Sequence, residues 1–338
     1  MARTERIELI RRIEQRRNSR VICCLTSDRQ NAHGIMAKDF IPIFFNHLRS
    51  FNGAATVDVL LFTTGGDTLA AFGLSRVLRE FSKDVNVLVP EKCHSAGTLF
   101  ALGANKIFMT KAATLTPIDP SVAGPLNPVV EPVPGQRINL PVSVESVAGY
   151  QSLVKEDWKL EGESVGLAFR MLAERVNPLA LGDVYRSRRQ IERLARTLLS
   201  NHRKDESKIT EIVEKMTRGY GSHDYLISPI EARELLGSQM AAEDPELEKL
   251  VWELYEDFST EMLLGEIFDA GIVIQSALAA GTRLPVTDQQ KIVVIETSGA
   301  GNVFERVLQL SLNQVMTPSG PIQAPQGAVV RAAWTRYN

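Results

Sequence analysis

The stretch VDVLLFTTGGDTLAAFGLSRVL (57–78), followed by VNVLVPEKCHSAGT (85–98), decides the fold. VDVLLF (57–62) and VNVLVP (85–90) are apolar runs of strand length with one polar residue each, Asp58 and Asn86, as suits strands buried on both faces. Each breaks into a turn of small residues. TTGGD (63–67) leads into a helix over 69–81, and CHSAG (93–97) into a helix starting at 98. Strand, glycine turn, helix, strand, small-residue turn, helix is the β-α repeat of an α/β protein. Upstream, 21–25 reads as a short strand. Residues 35–51 read as a helix with Ile41, Phe44, Phe45, Leu48 and Phe51 on one side.

The two turns lie where α/β folds place their chemistry, at the carboxyl ends of strands. Gly65 and Gly66 let the backbone bend sharply and present bare N–H groups, which can hold an oxyanion; the same pattern also suits an ordinary βα turn. Ser95 sits between strand and helix, flanked by Ala96 and Gly97. It is placed either as a nucleophile or as a simple N-cap. The glycine spacing is not that of the GxSxG elbow.

Around this segment the chain has 338 residues, 44% of them apolar, with 38 Lys and Arg against 40 Asp and Glu. A net charge of -2 gives no general reason to bind nucleic acid or a membrane surface. Residues 1–20 form an amphipathic helix carrying seven Arg, read as a solvated basic face because no aromatic interleaves them. Cys23, Cys24 and Cys93 make no disulfide framework, and without CxxC or CxxxH no metal site is expected. Neither an apolar signal core nor a membrane-length run is visible, so the expectation is a cytoplasmic protein.

Residues 117–141 hold seven of the sixteen prolines and read as a long irregular loop. From 145 to 218 the chain is strongly helical. Residues 241–269 form a linking helix, and 270–338 a small β-rich appendage built on 291–297, 303–312 and 328–337. The domain expectation is therefore 1–20, 21–240 with the helical segment 145–218 inside it, 241–269, and 270–338.

A GG turn followed about 30 residues later by a small-residue Ser turn, each ending a buried strand, resembles the ClpP/crotonase superfamily. LLFTTGGDTLAAFGLSRVL (60–78) is similar to the strand, turn and helix of ClpP and the SppA peptidases. VNVLVPEKCHSAGTLFALGANKIFMTKAATLTPIDPS (85–121) looks like the nucleophile segment of the serine dehydrogenase proteinase family, a ClpP-class family. GSHDYLISPIEARELLG (221–237) is similar to the late ClpP segment that carries the acid. The resemblance covers 20–240 and implies a spiral of ββα units with a helical extension.

The resemblance further implies that Ser95 is the nucleophile, that the N–H groups of Gly66 and Ala96, beside Gly65, form the oxyanion hole, and that Asp224 is the acid. The position of the ClpP histidine falls on Ile118, next to Asp119, so the base must come from elsewhere. His223 is the leading candidate, with Lys111 and Lys155 as SppA-type alternatives. His94 is a poor partner, because neighbouring side chains in an extended turn point apart. Asp119 reads as a loop-shaping acceptor, and His33, His47 and His202 as structural. The implied function is a cytoplasmic, homo-oligomeric serine endopeptidase for peptides or unfolded proteins. It needs no cofactor, and a separate ATPase or regulatory partner would supply ATP if ATP matters. The alternatives are a degenerate peptidase that binds proteins and a crotonase-type acyl-CoA enzyme. Self-association is expected because Val184, Ile191, Leu194, Leu198 and Leu199 put apolar side chains on more than one side of one helix.

Overall fold

The computed structural model describes residues 3–119, 121–122, 124–133, 136–317 and 320–337. Four parallel strands form the centre of a sheet: β1 (Arg20–Thr26), β2 (Thr56–Phe62), β3 (Asp84–Val89) and β4 (Lys106–Met109). Between them run α2 (Phe40–Arg49), α3 (Thr68–Phe81) and α4 (Ala96–Leu102), after an N-terminal α1 (Arg3–Arg17). Side chains alternate across a strand, and here both sets are apolar except for Asp58 and Asn86, which are buried and bonded to each other at 3.0 Å. Ile22, Cys24, Val57, Val59, Leu61, Val85 and Val87 face a core shared with α2, α3 and α4. Val21, Cys23, Leu25, Leu60, Phe62 and Leu88 face the opposite core, shared with α1 and α10 (Pro245–Met262). This double burial is what the largely apolar runs encode.

The sheet continues on the other side of β1. Strands β5 (Val286–Glu296), β6 (Gly301–Thr317) and β7 (Gly320–Tyr337) follow one another antiparallel, giving the order β7-β6-β5-β1-β2-β3-β4. The segment 270–338 thus begins with a helix, α11 (Ala270–Ala279), and then widens the central sheet. Its strands outrun the sequence reading because 313–327 is rich in Pro and Gln. Pro321 and Pro325 are tolerated in β7 because an edge strand pairs on one side only. The proline-rich stretch contains two short pairings, Val129–Val133 with Gln136–Asn139 and Ser121–Val122 with Val142–Ser143. Pro120 and Pro134 lie outside the described residues.

The N-terminal arginines are not a merely solvated face. Arg6 is 3% exposed and lies among Asp257, Glu261 and Glu296, its Nη1 2.9 Å from Asp257 Oδ2. Arg16 pairs with Asp244 and Arg17 with Asp58. Tyr337 donates to Glu296 at 2.6 Å, so the cluster ties α1, α10, β5 and β7 together. Burial pushes the Glu296 carboxyl up, against the opposing pull of Arg6. Arg6→Ala would remove the cation shared by Asp257, Glu261 and Glu296, and breaking a buried pair costs about 3–5 kcal/mol. For a chain of this size that lowers Tm by roughly 4–7 °C, measurable by calorimetry.

The segment 144–218 comprises α5 (Val144–Ser152), one π-helical turn at Leu153–Asp157, α6 (Glu163–Arg175), α7 (Pro178–Leu199) and α8 (Glu206–Arg218). Val184, Ile191, Leu194, Leu198 and Leu199 of α7 are all buried within the chain itself. Ile191, Leu194, Leu198 and Leu199 join the core against α3, α4 and α8. The apolar side chains that argued for self-association are therefore satisfied internally. Those left exposed in this region are Trp158, Leu167, Phe169, Met171, Leu179 and Tyr185. No described helix is long and apolar enough to cross a membrane.

Candidate active site

Where the central strands end, the chain makes a second, short ladder. Met36 bridges Gly66, Thr63 bridges Cys93, Lys92–Cys93 pairs with Thr114–Leu115, and Leu115 bridges Ile227. These bridges bring together the GG turn, the Ser95 turn, the 114–119 loop and the 221–227 segment.

In the GG turn, the Met36 N–H donates to Gly65 O at 2.8 Å and the Asp67 N–H donates to Met36 O at 2.9 Å. A parallel bridge uses the residues flanking Gly66, so the N–H of Gly66 itself points to the other side. It has no acceptor among the described residues. Gly66 has φ +142, and a Cβ there would lie 2.4 Å from Met36 O. A Cβ on Gly65, at φ +117, would lie 2.9 Å from Ser95 Cβ. Both positions require glycine, and the second contact measures how closely the two turns approach.

Ser95 takes φ +49, ψ -110, a conformation that costs a non-glycine residue about 1–3 kcal/mol. It occupies the N-cap position of α4, yet its hydroxyl caps nothing. The Ala96 N–H is buried and, like that of Gly66, finds no acceptor among the described residues. Buried donors are almost always paired, so the orphan N–H of Ala96, beside the open N–H of exposed Gly66, suits a site meant to receive an oxygen.

His223 Nδ1 lies 3.0 Å from Asp119 Oδ1, and Asp119 is 1% exposed. The Asp119 hydrogen bond holds the imidazole pKa above its ordinary value, against the opposing effect of burial. The carboxylate on His223 is thus Asp119, where the sequence reading placed Asp224. Asp224 is exposed, and its backbone N–H donates to Ser222 Oγ. Neither His223 nor Asp224 caps α9 (Pro229–Leu236); Ser228 and Glu231 form its capping box. His94 turns to Thr114 Oγ1 at 2.8 Å, and burial, helped by Lys92, pushes its pKa down to about 4. Lys111 is exposed, with its N–H on Glu248, and Lys155 lines a separate cavity between α5 and α6. His33 touches Thr64 from the outside, while His47 and His202 bond to Asn302 and Leu102 O.

Ser95, Gly66, Asp119, Ile118 and His223 line one cleft of about 390 Å³, closed on its far side by Ser187 and Gln190 of α7. Sequence reasoning missed the Asp119–His223 pair, which spans 104 residues. The available signal was the carboxylate of the PID turn standing beside the position where ClpP keeps its histidine. The residues in this cleft can activate a hydroxyl and receive negative charge on backbone amides.

Residues 1–134, which carry both turns and Asp119, match the family of ClpP-like SDH-type serine proteinases. Two uncharacterized proteins of Methanocaldococcus jannaschii are each 28% identical to this chain. One matches over 258 residues (74% of this chain, 78% of its own) and the other over 266 (76% and 78%). Among solved structures, a ClpP1 mutant from Listeria monocytogenes covers 70% of this chain and 99% of its own, at 13% identity and TM-score 0.37. The 1510-N membrane-bound stomatin-specific protease, a lysine-to-alanine mutant in complex with a substrate peptide, covers 63% and 73%, at 17% identity and TM-score 0.36.

Proposed function

We propose that this chain, whose residues 1–134 match the ClpP-like SDH-type serine proteinases, is a serine endopeptidase acting through Ser95, His223 and Asp119. The observation that carries the reading is the pair of buried Asp119 and half-buried His223 opening into the same cleft as a strained serine whose hydroxyl makes no cap bond. Relative to the ClpP pattern, acid and base have changed places along the chain. The carboxylate stands beside the ClpP histidine position, and the histidine stands in the late segment that carries the ClpP acid.

With Nδ1–H donated to Asp119, His223 Nε2 is the basic nitrogen. It takes the proton of Ser95 Oγ as that oxygen attacks a peptide carbonyl. The oxyanion formed accepts from the Gly66 and Ala96 N–H groups, which have no acceptor among the described residues. The imidazolium returns its proton to the leaving amine, and water then releases the acid product from the acyl-enzyme. Asp119 keeps the imidazole in the required tautomer throughout. A polypeptide in extended form fits along the GG turn that lines the cleft at Gly66, Asp67 and Thr68, where substrate backbone can pair with the turn edge. Self-association of this chain uses the exposed Leu167, Phe169 and Met171 of α6 rather than the buried face of α7.

The test is hydrolysis of a reduced, carboxymethylated protein, followed by mass spectrometry of its fragments. New internal termini that need both Ser95 and His223 support the reading. An intact substrate, with an acyl-CoA thioester bound in the cleft instead, would replace it with crotonase-type chemistry.

A further inference from the structure

We propose that Thr116 is a positioning residue that fixes the backbone of Ser95 and thereby aims the Ala96 N–H; this rests on the peptidase reading above. The Ser95 N–H donates to Thr116 Oγ1 at 2.8 Å. The Thr116 hydroxyl proton goes to Pro117 O at 3.1 Å, which leaves an oxygen lone pair free for that N–H. The Thr116 N–H donates to Thr98 Oγ1 at 3.1 Å, and the Thr98 hydroxyl donates to Cys93 O at 2.7 Å. Thr98 and Thr116 are 0% and 3% exposed. Two buried hydroxyls therefore grip the chain on both sides of the bend.

The need for this grip follows from the local geometry. Lys92–Cys93 runs parallel to Thr114–Leu115, and at Ser95 the chain leaves that ladder for a conformation of positive φ. The Ser95 N–H loses a backbone partner just where the backbone is strained, and the Thr116 side chain supplies one. That bond holds the N–H end of the 94–95 peptide, whose C=O end accepts from the Gly97 N–H at 2.7 Å. The plane of the 95–96 peptide is fixed by the Leu99 N–H donating to Ser95 O at 3.0 Å. In a trans peptide the N–H points opposite to the C=O, so that bond also directs the Ala96 N–H away from the helix and toward the GG turn. Without the Thr116 acceptor the 94–95 peptide is held through His94 O alone, and φ of Ser95 can relax toward a less strained value. The hydroxyl and the Ala96 N–H would then drift apart from the Gly66 N–H.

Two readouts separate this role from simple packing. Thr116→Val keeps the shape and deletes the acceptor, whereas Thr116→Ser keeps it. A misplacement near 1 Å costs about 100-fold. Thr116→Val is therefore expected to slow hydrolysis and fluorophosphonate labelling of Ser95 by about 10- to 100-fold, through kcat with KM little changed and the pH midpoint unmoved. Thr116→Ser is expected to restore most of the rate. Hydrogen exchange at the Ser95 amide, read by NMR, is independent of activity. It should be slow in the wild type and Thr116→Ser and fast in Thr116→Val. Slow exchange in Thr116→Val, or failure of Thr116→Ser to rescue, overturns the proposal. If Ser95 is unreactive in the wild type but exchange still depends on the Thr116 hydroxyl, the peptidase reading falls and the positioning role stands.

Discussion

Ser95→Ala is expected to lose peptide hydrolysis by on the order of a thousandfold or more in kcat, with KM for the same peptide little changed. The hydroxyl caps no N–H of α4 and makes no hydrogen bond among the described residues, so its removal deletes no such bond there. Alanine keeps the Cβ and with it the strain of φ +49, so the fold gains no relief and pays no new cost. Tm should therefore stay close to that of the wild type. A variant with wild-type turnover would remove Ser95 from the reaction. A variant that unfolds would show instead that the hydroxyl is structural.

Asp119→Asn and His223→Ala carry the second large effect. Replacing the acid of such a triad leaves geometry but spoils the tautomer, at a cost of about 10⁴-fold in kcat. The base must be neutral to accept the serine proton, so activity rises with pH through the His223 midpoint. Asp119 stabilises the imidazolium and places that midpoint above 6.5. In Asp119→Asn the raising hydrogen bond is lost while burial remains, so the acid limb of the pH profile should move to lower pH. The sign is consistent for stability. A histidine whose pKa is raised in the folded state stabilises the fold below its unfolded value, and that contribution fades as pH rises through the folded value. Asp119→Asn should flatten this part of the Tm against pH curve. Lys111→Ala and Lys155→Ala are expected to retain activity. Loss there, with His223→Ala active, would mean a Ser-Lys mechanism.

The sheet's centre was legible because strands buried on both faces leave no sustained polar alternation; 57–62 and 85–90 carry one polar residue each, Asp58 and Asn86. The GG and Ser turns were legible because close approach and positive φ admit few residue types. Three features were not. The Asp119–His223 pair arises from the bridge of Leu115 to Ile227, a tertiary contact that no local pattern records. The long arms of β6 and β7 hide behind Pro321 and Pro325, which look like loop residues until the edge position is known. The apolar residues on several sides of α7 suggested an interface, because the sequence does not say that α3, α4 and α8 surround that helix.

The most direct test of Ser95 as a nucleophile activated by His223 is mass spectrometry after treatment with a fluorophosphonate probe. One adduct per chain, mapped to Ser95, is expected to form faster as pH rises through the His223 midpoint and to vanish in His223→Ala. No adduct, or an adduct on Ser95 that forms equally fast without His223, would contradict it.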